Sequence, residues 1–165
     1  MPRTLAARQH AVKEPARPAR TPAGDAFTSF VVQVARLGGD FTATGEKLAT
    51  LGGQSLARWV VLDAAEDGPA SVAQIARGLG MARQSVQRVA DLLVRDELAV
   101  YEHNPDHQRA KHLASTGRGR RALRTISTAQ KAWADALGAE IGEAELRRLS
   151  GILERIQRVT SRNKP

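Results

Sequence analysis

Proline placement is the strongest constraint on how this chain folds. Pro2, Pro15, Pro18 and Pro22 crowd its start, Pro69 and Pro105 stand alone, and no other proline occurs before Pro165. Proline fixes φ and lacks an N–H, so it is excluded from helix interiors. The opening segment, Pro22 included, is therefore expected to be extended or irregular. Pro69 and Pro105 mark loops, and residues 106–164 are free to be mostly helical.

Apolar spacing fills in the rest. Phe27, Phe30, Val31 and Val34 recur at i, i+3, i+4 and i+7, one face of a helix beginning near Asp25. Gly38-Gly39 is expected to bend or end it, because glycine is costly inside a helix. A second helix spans about Ser55 to Asp67, carries Leu56, Trp59, Val60, Val61 and Leu62, and is stopped by Asp67-Gly68-Pro69. Ser71 and Gln74 fit a capping box, which starts a short third helix with the stripe Val72, Ile75, Ala76 and Leu79. Gly80 ends it. A fourth helix follows from about Ala82 to Asp96, with Val86, Val89, Ala90 and Leu93 facing inward.

Two short helices joined through a glycine form a helix-turn-helix. Leu98–His103 and Lys111–Ala114 have strand length, and Asn104-Pro105-Asp106 between them is turn chemistry. A helix-turn-helix followed by such a hairpin is a winged helix. A long helix from about Thr116 toward Gly138 and a last one from about Glu143 to Ser161 follow. The last carries Leu146, Leu149, Leu153 and Ile156 on one face. The fold class is thus mainly α with a small β-hairpin.

Charge narrows the partner. The chain of 165 residues has a net charge of +8 and a pI near 10.9, which suits a polyanion. Arg3, Arg8, Lys13, Arg17 and Arg20 stand against Glu14 alone in residues 1–24, which are expected to form a disordered basic arm. No apolar stretch of signal-peptide type follows these charges. The uncharged run Ala26–Ala35 is about half of the ~20 residues a membrane span needs, so no membrane partner is expected. The absence of cysteine excludes disulfides, thiol nucleophiles and Cys-ligated zinc, and fits a cytoplasmic location.

On the fourth helix the buried stripe forces Arg83, Gln84, Ser85, Gln87, Arg88 and Asp91 to the other side. Arg donates bidentately to guanine O6 and N7, and Gln pairs with adenine N6 and N7. Such a helix enters the major groove of double-stranded DNA. His107, Arg109 and Lys111 on the hairpin are placed to meet phosphates or the minor groove beside it. His103, His107 and His112 lie on or near the wing, but no carboxylate set joins them at ligand spacing, and no metal or cofactor is assigned. No phosphate loop or nucleophile–base arrangement points to an enzyme.

Two segments carry a family resemblance: "RWVVLDAAEDGPASVAQIARGLGMARQSVQRVADLLVRDELA" and "NPDHQRAKHLASTGRGR". The first is similar to the second helix through the recognition helix of MarR-family transcription regulators. The second resembles their wing, with an acidic-Arg-Arg-x-Lys core and then Leu-Thr-x-x-Gly. The resemblance covers residues 55–121 and implies a homodimer on a pseudopalindromic operator, with repression released by a ligand. In this organisation residues 25–54 form an N-terminal dimerisation helix, residues 55–115 the winged helix-turn-helix, and residues 116–165 the C-terminal dimerisation helices. The faces Phe27/Phe30/Val31/Val34 and Leu146/Leu149/Leu153/Ile156 are the expected dimer contacts. The resemblance also implies a small aromatic effector, for which Trp59 lies in the right region. Three positions depart from the family pattern: His107 replaces the wing Asp, Glu97 replaces the glycine after the recognition helix, and Ser115 replaces the Leu of Leu-Thr-x-x-Gly. The alternative is an effector-independent structural nucleoid- or RNA-binding protein using the same basic surface.

Overall fold

The structure, a computed structural model, describes residues 20–105 and 110–163. In chain order its elements are helix α1 (Pro22–Leu51), helix α2 (Leu56–Glu66), strand β1 (Ala70–Ser71), helix α3 (Val72–Leu79) and helix α4 (Arg83–Arg95). Strands β2 (Ala99–Glu102) and β3 (His112–Ser115) follow, then helices α5 (Gly117–Ile141) and α6 (Glu143–Arg162). The chain divides into two compact units, residues 1–39 and 40–165.

Two expectations about α1 are corrected. Pro22 belongs to the helix and not to the irregular arm: it is the first helical residue, where its missing N–H costs nothing. Thr21 caps that end, its hydroxyl accepting from the Gly24 N–H at 3.1 Å. Nor do Gly38-Gly39 end or break the helix, which continues to Leu51. Glycine costs about 1 kcal/mol relative to alanine in a helix, but it stops one only when it turns left-handed, and neither residue takes a positive φ. Residues 1–19, most of the expected arm, lie outside the described residues.

In the second unit the helix-turn-helix forms through local signals. Ser55 caps α2 by accepting from the Arg58 N–H. The capping box of α3 is complete: the Gln74 N–H donates to Ser71 Oγ at 3.4 Å, and the Ser71 N–H donates to Gln74 Oε1 at 2.8 Å. Gly80 takes a left-handed φ of 64° and ends α3. Val61 and Leu62 from α2, Ile75 from α3, Val86, Ala90 and Leu93 from α4, Leu113 from β3 and Leu123 from α5 make one buried core. Val89, expected in that stripe, packs against it half-buried.

The expected hairpin is part of a three-stranded antiparallel sheet, ordered β1-β3-β2. β2 and β3 pair from Ala99↔Ser115 to Glu102↔His112, and β1 adds Ala70↔Leu113 and Ser71↔His112. Two residues show no alternation, so β1 leaves no trace in the sequence pattern. At the wing's base the Thr116 N–H donates to the Leu98 carbonyl at 3.0 Å. Thr116 Oγ1 caps α5 by accepting from the Gly119 N–H at 3.1 Å, while its own hydrogen goes to the Glu97 carbonyl at 2.7 Å. Glycine is required at 119, because a Cβ there would stand 2.1 Å from the Leu98 carbonyl oxygen. α5 runs past Gly138 to Ile141, and α6 buries none of its residues.

Candidate nucleic-acid interface

The outward side of α4 is fixed by what its other side buries. Val86, Ala90 and Leu93 have no exposed surface. One helical face away, Arg83, Gln84, Ser85 and Arg88 are exposed, as the sequence pattern requires. Ala82, the N-cap, offers no side-chain bond, so the basic end of α4 is free of local capping. A groove of about 320 Å³ separates this helix from the wing. Its lining includes Ser71, Val72, Arg83, Gln87, Tyr101 and Lys111. The structure thus brings Arg83, the first residue of α4, and Lys111, just before β3, to the walls of one groove. His107 and Arg109 lie outside the described residues.

Gln87 departs from simple exposure. Its Nε2 donates to Asp91 Oδ1 at 2.9 Å and to the Tyr101 hydroxyl at 2.8 Å, and that hydroxyl donates to Asp91 Oδ1 at 2.7 Å. Burial first, and then the bond to Asp91, push the Tyr101 phenol up to about 12. Sequence reasoning passed over Tyr101. It stands in β2, and only the folding of that strand against α4 brings it to Gln87.

The far end of α4 is held by charge. Arg58 Nη1 of α2 reaches Asp96 Oδ2 at 2.7 Å, and Arg95 Nε reaches Oδ1 at 3.1 Å. Hydrogen bonds from Arg58 and then Arg95 hold the Asp96 carboxyl below the usual carboxylate range. The Arg58 bond ties this end of α4 to α2. Asp63, on α2, is raised by burial and by the neighbouring charges of Asp67 and Glu66.

The other expected site residues are exposed or half-buried. Phe27, Val31 and Val34 are exposed on α1, where Phe30 packs beside Phe27 with ring centroids 6.4 Å apart. Leu146, Leu149 and Leu153 are exposed on α6, and Ile156 is half-buried. Trp59 is half-buried against the core. Among the described residues no helix is long and apolar enough to cross a membrane, and no three His, Asp or Glu side chains gather as a metal-binding group.

A capped helix-turn-helix, an outward basic helix face and an antiparallel wing define a winged helix-turn-helix protein. Residues 53–110 match the sequence profile of the MarR family. An uncharacterized protein of Mycobacterium tuberculosis, Rv2011c, is 42% identical over 103 residues, covering 62% of this chain and 72% of that protein. The MarR family transcription regulator SP03579 superposes with a TM-score of 0.75 at 21% identity, over 83% of this chain and 91% of the other. MarR of Staphylococcus aureus, solved with salicylate and kanamycin, gives 0.68 at 14% identity, over 86% and 93%. Residues 53–110 thus carry the MarR-family profile, and the chain has the fold of MarR-family transcription regulators.

Proposed function

We propose that the protein is a cytoplasmic homodimer that binds double-stranded DNA at a pseudopalindromic operator and represses transcription until a small aromatic effector releases it. The observation that carries the DNA reading is the outward face of α4, with Arg83, Gln84, Ser85 and Arg88 exposed and Arg83 lining one groove with Lys111. A helix presenting Arg and Gln in this way has donors and acceptors for base edges, and Lys111 has the charge for phosphate. In this reading His107 and Arg109 also contact the DNA, and the basic residues of the arm add affinity by releasing counterions.

Dimerisation is supported by apolar surface left uncovered. Phe27, Val31 and Val34 on α1 and Leu146, Leu149 and Leu153 on α6 are each more than a third exposed. Exposed apolar faces of this kind mark an interface. With α6 burying nothing within its own chain, a second copy is the fitting cover. Support for an aromatic effector comes from the salicylate bound by the Staphylococcus aureus relative. In this chain Trp59 offers a ring near the core for such a ligand.

Selection from random duplexes tests the reading. The regulator should enrich an inverted repeat, and Arg88→Ala should weaken it by roughly 1–3 kcal/mol while relaxing one position per half-site. Equal, weak binding to every duplex would refute it and favour an effector-independent structural nucleoid- or RNA-binding protein.

A further inference from the structure

We propose that Gln87 reads its base as a hydrogen-bond acceptor only, held in that role by Tyr101 and Asp91, so that it selects adenine or cytosine on the strand it faces through the exocyclic amino group. This rests on the DNA reading above and differs from the two-bond pairing with adenine that a free glutamine makes.

The argument is a count of hydrogens. A side-chain amide has two, both on nitrogen. In Gln87 that nitrogen lies 2.9 Å from Asp91 Oδ1 and 2.8 Å from the Tyr101 hydroxyl, and we assign one hydrogen to each. The orientation of the amide is settled by chemistry. An ionised carboxylate only accepts, so the atom facing Asp91 must be the nitrogen. The Tyr101 hydroxyl spends its own hydrogen on Asp91 Oδ1 at 2.7 Å, and so accepts from Gln87. With its phenol pushed up to about 12, Tyr101 keeps that hydrogen across the working pH range. Among the described residues nothing donates to Gln87 Oε1, and the side chain lines the groove between α4 and the wing.

What remains free is therefore one carbonyl oxygen. Adenine N6 and cytosine N4 donate to it, whereas guanine and thymine present acceptors at the corresponding place. Adenine N7 needs a donor, and Gln87 has none left. The lock should survive contact with DNA. Two of its three bonds end on a charged carboxylate, and charge-assisted bonds are about twice as strong as neutral ones. Excluding water strengthens them further.

The test uses the full-length protein and its selected operator. Gln87→Ala first identifies the position by relaxing it. Base analogues are then placed there on the operator bound by the unaltered protein. Purine in place of adenine, or pyrimidin-2-one in place of cytosine, removes the amino group and should weaken binding about tenfold. Replacing adenine by 7-deazaadenine removes N7 and should change affinity less than twofold. Tyr101→Phe, checked for an unchanged melting profile, releases one amide hydrogen. In that variant 7-deazaadenine becomes costly, and operators with adenine at the position gain several-fold over those with cytosine. The proposal is overturned if Gln87→Ala relaxes no position, if removing the amino group changes nothing, or if losing N7 weakens the unaltered protein as much as losing the amino group. Failure to select any sequence is a separate result, which overturns the regulator reading and this inference with it.

Discussion

Glu97→Gly should stabilise the protein, and the structure indicates by how much. Glu97 follows α4 with φ at 58°, and it is the one described non-glycine residue with positive φ. It is held there by a Schellman cap: the Leu98 N–H donates to the Leu93 carbonyl at 2.8 Å and the Glu97 N–H to the Val94 carbonyl at 3.1 Å. Leu98 and Leu93 are both buried, which pulls the chain into the turn. A side chain in this conformation costs about 1–2 kcal/mol. Glycine removes that cost but loses about 0.4–1 kcal/mol through its looser unfolded chain. The Arg118–Glu97 pair, 3.7 Å apart and well exposed, contributes little. The net gain is about 0.5–1 kcal/mol, a rise in melting temperature of about 1–4 °C for a chain of this size. Thermal unfolding at fixed protein concentration measures it, with Glu97→Ala as control, because alanine loses the carboxylate and keeps the Cβ. The reasoning fails if glycine gives no gain, or if alanine gains as much.

Gly119→Ala should do the opposite, destabilising by about 1–3 kcal/mol in urea unfolding, since its Cβ meets the Leu98 backbone at 2.1 Å. Leu149→Asp combined with Leu153→Asp should yield monomers in sedimentation and lose tight operator binding; a monomeric unaltered protein at micromolar concentration would refute the dimer. Asp96, lowered in the folded state, contributes stability that is fully present above the ordinary carboxylate value of 3.8 and lost as pH falls through its lower folded value. Asp96→Asn should therefore flatten the acid end of the stability profile followed by circular dichroism.

The winged helix was legible because its signals are local. The Ser71/Gln74 capping box, Gly80 and the Val86/Ala90/Leu93 stripe each act within a few residues, and each appears where the pattern put it. The outward placement of Arg83, Gln84 and Arg88 follows from the stripe by helical geometry alone. What escaped was set by long-range pairing. β1 forms only because β3 arrives beside it, Tyr101 meets Gln87 across 14 positions, and Arg58 meets Asp96 across 38. Gly38-Gly39 misled for a different reason: glycine lowers helix propensity without imposing an end, and the helix around it supplies the missing stability.

The departures at 97 and 115 bear on the wing through one junction. Ser115 sits in β3 on the same inward face as Leu113, and both are buried. A leucine buried there would contribute about 1.5–3 kcal/mol through apolar area. The serine instead donates its hydroxyl hydrogen to the carboxylate of Glu66, the last residue of α2, a charged bond of about 1.5–3 kcal/mol. Arg120 Nη1 adds a bond to the Ser115 carbonyl at 3.0 Å. One anchor has replaced another of similar strength, and the new one is directional. Glu97 likewise keeps the left-handed turn that a glycine would make, and its carbonyl still receives the Thr116 hydroxyl. The wing's base is therefore set by backbone geometry: the Leu98 carbonyl accepts from Thr116, and Gly119 lies against it. Side chains around that contact are free to change chemistry, whereas position 119 is not, because nothing larger than hydrogen fits beside the Leu98 oxygen.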